Sequence, residues 1–62
     1  MTTEVDKLHR RPWVEDVTGL SKSSIAEYVK QNLFPKPVRL GPRAIAWRES
    51  EVLAWLASRK SI

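Results

Sequence analysis

The apolar residues of the chain recur at helical spacing in three short stretches. In the first stretch, Trp13, Val14 and Val17 share one face of a helix. Pro12 suits the start of that helix, because proline lacks the N–H that the first helical turn leaves unpaired. Gly19 then follows as a left-handed cap. The pattern therefore predicts a first helix that begins at Pro12 and ends at Gly19.

The second stretch follows almost at once. Ser21 is suited to cap the start of a helix, and apolar or aromatic residues repeat at helical spacing after it: Ile25, Tyr28 and Val29. The prolines at positions 35 and 37 cannot continue a helix. A second helix is therefore predicted from Lys22 to about Asn32.

Between residues 38 and 47 the apolar period changes to two, which is typical of strands. Val38, Arg39 and Leu40 alternate in polarity, and the following Gly41-Pro42-Arg43 has the residues of a turn. A two-stranded hairpin is predicted. The alternation places Val38 and Leu40 on the core side, Arg39 on the open side and Arg43 at the tip.

A third helix is predicted from Arg48 to Arg59, because Val52, Trp55 and Leu56 follow one another at i, i+3 and i+4. Residues 1–11 show no periodicity and are predicted to form an N-terminal arm or a short strand. The remainder, residues 12–62, is predicted to be one domain, mainly α with a small β-hairpin.

The size of the chain limits what it can do. A domain of 62 residues buries only about 60% of the surface that it exposes when unfolded, and it has little room for a deep pocket. The chain has no cysteine and no phosphate loop, so we expect no disulfide and no enzyme. The single histidine, His9, has no partners at metal-ligand spacing. We therefore expect no metal and no cofactor, and His9 is expected to be a solvent-exposed bystander instead of a pH-sensitive contact.

Basic charge is concentrated in one third of the chain. From Lys30 to Arg48 there are five Lys or Arg and no acidic residue, a charge of +5, whereas the remainder has six basic and seven acidic residues, a charge of −1. Such segregation is typical of a polyanion-binding protein. The alternative is a solvated surface with an accidental bias. No apolar stretch approaches the roughly 20 residues of a membrane helix, so we expect a soluble, intracellular protein.

Two short helices joined by a turn that contains glycine, at residues 18–21, form a helix-turn-helix signature. The second helix of this motif enters the major groove of DNA, so the candidates for contact are its first residues: Ser21, Lys22, Ser23 and Ser24. Tyr28, one turn further on, can donate to phosphate or pack in the core, and the sequence favours neither. The alternative is an ordinary helical hairpin in which the serines only cap.

The hairpin would then be a wing beside this helix. We expect Arg39 and Arg43 to contact phosphate or the minor groove, and basic residues that flank the wing to contact phosphate: Lys30, Lys36 and Arg48. The alternative is a structural hairpin with solvated arginines. The three tryptophans lie on apolar faces of their elements and are expected in the core, which disfavours binding of single-stranded nucleic acid.

Three blocks of the sequence resemble the AlpA family of phage and prophage regulators: VTGLSKSSI at 17–25, FPKPVRLGPR at 34–43, and AWR followed by EVLAWL between 46 and 56. The resemblance covers residues 13–59. The fold of this family is similar to the DNA-binding domain of MerR-type regulators and to phage excisionases. The resemblance therefore implies a winged helix-turn-helix.

The resemblance also implies a function. It points to a sequence-specific duplex DNA-binding protein of the bacterial cytoplasm and nucleoid, which controls integrase genes or acts as an excisionase. The implied partners are duplex DNA, a phage-type integrase and further copies of the protein on DNA. Many relatives carry a bulky or basic residue where Ala26 and Glu27 stand. Glu27 would repel phosphate unless it faces away or accepts a hydrogen bond from a cytosine amine.

Two other classes of function remain open. One is a small adaptor or anti-repressor module whose basic face binds an acidic protein. The other is an RNA-binding protein, which would bind structured or single-stranded RNA more tightly than duplex DNA. The salt dependence of binding to duplex DNA separates a DNA-binding protein from the adaptor.

Overall fold

The computed structural model describes residues 6–59, which form three helices and a three-stranded antiparallel sheet. The elements in chain order are β1 (Leu8–His9), α1 (Arg11–Thr18), α2 (Lys22–Lys30), β2 (Val38–Gly41), β3 (Ala44–Arg48) and α3 (Glu49–Ala57). Strand β3 is central, because β1 and β2 both pair with it. The predicted mainly α fold with a hairpin wing is confirmed. The N-terminal segment was predicted to be an arm or a short strand, and its described part contains the strand β1. Residues 1–5 and 60–62 lie outside the described residues.

The turn between α1 and α2 forms as predicted. Gly19 has a left-handed φ of 76°, and its N–H donates to the Glu15 carbonyl at 2.8 Å. Ser21 caps α2, because its hydroxyl accepts a hydrogen bond from the N–H of Ser24 at 3.1 Å. Helix α1 begins at Arg11, one residue before the predicted start.

Helix α2 ends at Lys30, earlier than the predicted end at Asn32. Asn32 itself is left-handed, with a φ of 61°, and its N–H donates to the Val29 carbonyl at 3.1 Å. The next N–H, of Leu33, donates to the Tyr28 carbonyl at 2.8 Å. These two bonds close the helix as a Schellman motif. The cap, and not the prolines further on, therefore ends α2.

Helix α3 is shorter than the predicted range from Arg48 to Arg59. Its N-terminus is capped by a residue that is far away in the sequence. Its N-cap residue, Arg48, makes no side-chain cap. Instead, the carboxylate of Asp6 accepts hydrogen bonds from the N–H of Ser50 at 3.2 Å and from its hydroxyl at 2.6 Å. The segment before β1 therefore supplies the cap that the local sequence of α3 lacks.

His9 is not the exposed bystander that we expected. Its Nε2 lies 2.7 Å from Oε1 of Glu49, and its ring stacks on Trp13 with 3.8 Å between the ring centroids. The imidazole is thus half-buried between the start of α3 and α1. The expectation was wrong because β1 pairs with β3, which carries His9 into the body of the domain.

Each helix contributes one buried side chain to the core, and so do β3 and the segment before β2: Val14, Ile25, Phe34, Trp47 and Val52. Trp13 and Trp55 are half-buried and pack against this cluster. The predicted placement of all three tryptophans in the core is therefore confirmed, and Trp47 is the one of the three that is buried.

Two indole N–H groups anchor the segment between α2 and β2. Trp47 donates to the Pro35 carbonyl at 2.9 Å, and Trp55 donates to the Leu33 carbonyl at 2.7 Å. Between these carbonyls, the ring of Phe34 meets Trp55 edge to face, with 4.8 Å between the centroids. The connection thereby has a fixed path although it contains no helix or strand.

Leu40 is the position at which the predicted alternation of the hairpin is wrong. It was expected on the core side but is 51% exposed. Arg39 pairs with Ile45, whereas Gly41 pairs with Ala44, so Leu40 is an extra residue in a β-bulge. A bulge interrupts the two-residue period, and the alternation holds only up to Arg39, which is exposed as predicted.

The cap on α3 predicts a pH-dependent stability. The hydrogen bonds from Ser50, aided by the positive charge of Arg48, hold the pKa of Asp6 below its usual value of 3.8. A carboxylate whose pKa is lowered on folding stabilises the fold above its unfolded pKa, and this contribution is lost as the pH falls through the folded value. Asp6→Ala should therefore lower the Tm near neutral pH, and its difference from the wild type should shrink in acid.

Thermal melts of both proteins, followed by circular dichroism from about pH 6 down to about pH 2, measure this difference. Asp16→Ala is the matched control, because Asp16 is an exposed carboxylate on α1. A difference between the wild type and Asp6→Ala that stays constant over this pH range would contradict the role of the carboxylate.

Candidate nucleic-acid interface

The exposed face of α2 carries some of the predicted contact residues. Lys22 and Ser23 are exposed in the first turn, Ala26 and Glu27 are exposed one turn later, and Lys30 is exposed at the end. The carboxylate of Glu27 accepts a hydrogen bond from the side-chain amide of Gln31 at 2.6 Å. Its charge is therefore held toward the C-terminal end of the helix, away from Lys22.

Three other predicted residues of α2 have structural contacts. The hydroxyl of Ser21 donates to Oγ of Ser24 at 3.1 Å and accepts from the N–H of the same residue. Tyr28 is half-buried and packs against the core. Ser21 is exposed like Lys22 and Ser23, but its hydroxyl bonds to Ser24. Lys22 and Ser23 therefore remain as the exposed polar side chains at the start of α2 that make no hydrogen bond within the described residues.

The wing, residues 38–48, presents two of its arginines near the turn. Arg43 is exposed in the turn itself. Nη1 of Arg39 donates to the Pro42 carbonyl at 3.1 Å, which holds this guanidinium against the turn. Lys36 is exposed in the segment before β2.

Arg48 lies away from the other basic residues of the wing. It lies at the other end of β3, opposite Leu8 and close enough to Asp6 to lower the pKa of that carboxyl. Four strand steps separate Arg48 from Ala44, which is roughly 13 Å. The structure therefore places Arg48 beside the N-terminus of α3 and away from the wing tip.

The wing arginines face two arginines that the sequence analysis did not propose. A groove of about 560 Å³ lies between the wing and the start of α1, and its charged lining is Arg10, Arg11, Arg39 and Arg43. We call it the arginine groove. The one available signal was the Arg-Arg pair directly before Pro12. Arg10 and Arg11 lie outside residues 30–48, in the part of the chain whose charges sum to −1. A sum of charges along the sequence does not show which segments come together in the fold, so it did not single out this pair.

A second, more apolar groove connects the arginine groove to α2. It has a volume of about 280 Å³, lies between α2 and the wing, and has Lys22 and Trp47 in its lining. Arg11 and Ile45 line both grooves. One continuous surface therefore runs from the start of α2, past the start of α1, to the tip of the wing, and its charged residues are all basic: Lys22, Arg11, Arg10, Arg39 and Arg43.

Two kinds of feature are absent from the part of the chain that the structure describes. Within residues 6–59 no group of three His, Asp or Glu side chains is arranged to hold a metal ion. No helix in the same range is long and apolar enough to cross a membrane.

The comparisons with known proteins identify the family of the chain. Residues 7–60 match the family model described as prophage CP4-57 regulatory protein, AlpA. The chain belongs to the AlpA family. The family description is that of a prophage regulatory protein. The three helices with a small antiparallel sheet are those of a small winged-helix-like domain.

A phage protein is also similar to this chain. The uncharacterized protein ORF88 of Enterobacteria phage P4 is 43% identical over 54 residues, which are 87% of this chain and 61% of the phage protein. The chain thus spans less than two thirds of the length of this relative. No solved structure gives a significant match.

The cap of α2 predicts different effects for two nearby serines. Ser21→Ala removes the acceptor for the N–H of Ser24 and should lower the free energy of unfolding by about 1 kcal/mol. Ser23→Ala, at an exposed position inside the helix, should change it by less than about 0.5 kcal/mol. Urea denaturation followed by tryptophan fluorescence measures both values. Equal losses would show that Ser21 is not the cap.

Proposed function

We propose that this protein binds duplex DNA sequence-specifically, with α2 in the major groove and the wing at the adjacent minor groove. The observation that carries the proposal is the continuous basic surface that joins Lys22 on α2 to Arg43 on the wing. A helix that enters the major groove needs exposed polar side chains at its start, and a wing needs basic residues at its tip. Both requirements are met on the same side of the domain.

The proposed contacts fall into two groups. Lys22 and Ser23 are the proposed base contacts, because they are exposed at the start of α2. Basic residues elsewhere are proposed to contact phosphate and to set the register of the protein on DNA: Lys30, Lys36, Arg39 and Arg43. Ser21, Ser24 and Tyr28 would act indirectly, by holding α2 in place.

Membership of the AlpA family supports a proposal for the biological role. We propose that the protein regulates transcription of an integrase gene, or directs excision of a prophage, on the bacterial nucleoid and without catalysis of its own. A phage-type integrase and further copies of the chain on repeated DNA sites are the proposed partners. Selection of bound sites from a random duplex pool tests this role, because repeated sites beside an integrase gene or an attachment site are expected.

The salt dependence of DNA binding provides the first test. If about five or six phosphates are neutralised, a plot of log K against log salt should have a slope of roughly −4 to −6. Fluorescence anisotropy with a labelled duplex over a salt series measures the slope. A flat response would favour an adaptor that binds an acidic protein, and tighter binding to RNA than to the duplex would favour an RNA-binding protein.

Substitutions on α2 and on the wing should have different effects. Arg43→Ala should weaken binding to all duplexes by a similar factor and reduce the salt slope by about one, because it removes a phosphate contact. Lys22→Ala and Ser23→Ala should in addition change which bases are preferred. Affinities for the selected duplex and for single-base variants of it measure both effects. If Lys22→Ala leaves affinity and preference unchanged, α2 does not read the DNA.

A further inference from the structure

The arginine groove contains two residues, Arg10 and Arg11, to which the proposed function assigns no role. We infer that they bind consecutive phosphates of the DNA strand that separates the major groove at α2 from the minor groove at the wing. This inference rests on the proposed function and adds a third contact region to it, at the start of α1.

The geometry of duplex DNA leads to this assignment. One sugar-phosphate strand lies between a major groove and the adjacent minor groove. If α2 occupies the major groove and the wing tip occupies the minor groove, that strand must pass over the protein surface between α2 and the wing. The surface between them is the start of α1, since Arg11 lines the groove beside α2 as well as the arginine groove beside the wing. Arg10 and Arg11 are therefore where a phosphate backbone has to pass.

The electrostatics of the groove also favour an anion. Four arginines line it, and among residues 6–59 the one acidic side chain paired with any of them is Glu15, which accepts a hydrogen bond from Nε of Arg11 at 3.0 Å. Like charges gathered in this way repel one another until a polyanion neutralises them. The first turn of α1, which also lines the groove, contains no acidic residue, so its dipole adds to the positive potential.

Two of the four arginines are already held in position. Arg11 is held by Glu15, and Arg39 is held by the Pro42 carbonyl. A side chain that is ordered before binding loses less entropy when it takes a phosphate. The side chain of Arg10 makes no hydrogen bond or ion pair within the described residues, and it does not cap α1. Among residues 6–59, therefore, no partner occupies the Arg10 donors that a phosphate would take.

The test compares Arg10→Gln and Arg11→Gln with Arg59→Gln. Arg59 is the control, because it lies over the ring of Trp55 and lines neither groove. Each groove variant should reduce the salt slope by about 0.9 and weaken duplex binding about fivefold near 0.15 M salt, to a similar extent for every sequence. Arg59→Gln should change neither quantity. Circular dichroism melts of the three variants check that the fold is intact.

Neutral methylphosphonates then locate the contact. Each duplex of the series carries one methylphosphonate at a different position of the strand between the two grooves. At one position the substitution should weaken binding of the wild type but not that of Arg10→Gln, because the variant has already lost the contact with that phosphate. Equal losses for the wild type and Arg10→Gln at every position would overturn the inference. Loss of inorganic phosphate binding by Arg10→Gln without loss of duplex affinity would overturn it too, because the groove would then hold a free anion.

The two levels of proposal fail in different ways. If the wild type itself binds duplex DNA with no salt dependence, the proposed function is wrong. If the wild type binds with a steep slope, but Arg10→Gln and Arg11→Gln behave like Arg59→Gln, only the role of the arginine groove is wrong.

Discussion

The relation between α2 and the wing depends on two hydrogen bonds from tryptophan side chains. The connection between them has no regular structure, yet the indoles of Trp47 and Trp55 bind its backbone carbonyls at residues 35 and 33. A buried indole N–H without a partner would be costly, so Trp47 specifies the path of the connection as well as filling the core. These two hydrogen bonds therefore fix the distance between α2, which is proposed to contact bases, and the wing, which is proposed to contact the DNA backbone.

The segment before α1 contacts both α3 and the central strand of the sheet. Asp6 caps α3, and β1 pairs with the central strand through Leu8 and His9. Because Arg10 and Arg11 follow β1 directly, this pairing determines where their side chains can lie. The short N-terminal strand thus stabilises α3 and also brings two arginines opposite the wing.

Sequence reasoning succeeded at the turn between α1 and α2, where neighbouring residues decide the structure. Gly19 and Ser21 fix the turn between α1 and α2 through bonds to groups within four residues of themselves. It missed one local cap, because the prolines were a sufficient reason for α2 to stop but Asn32 provided an earlier one. It also failed where the structure depends on other parts of the chain, because the pairing of β2 with β3 made Leu40 a bulge that strict alternation could not indicate.

The same division applies to the candidate interface. The sequence by itself determined the family, through three blocks that resemble it. It also determined the order of the elements and the basic character of the wing, because these follow from local pattern and composition. Only the tertiary structure decided that Arg48 lies apart from the wing tip and that Arg10 and Arg11 lie beside it. The physical reason is that electrostatic potential depends on distance in space, and strand pairing brings together charges that are far apart along the chain.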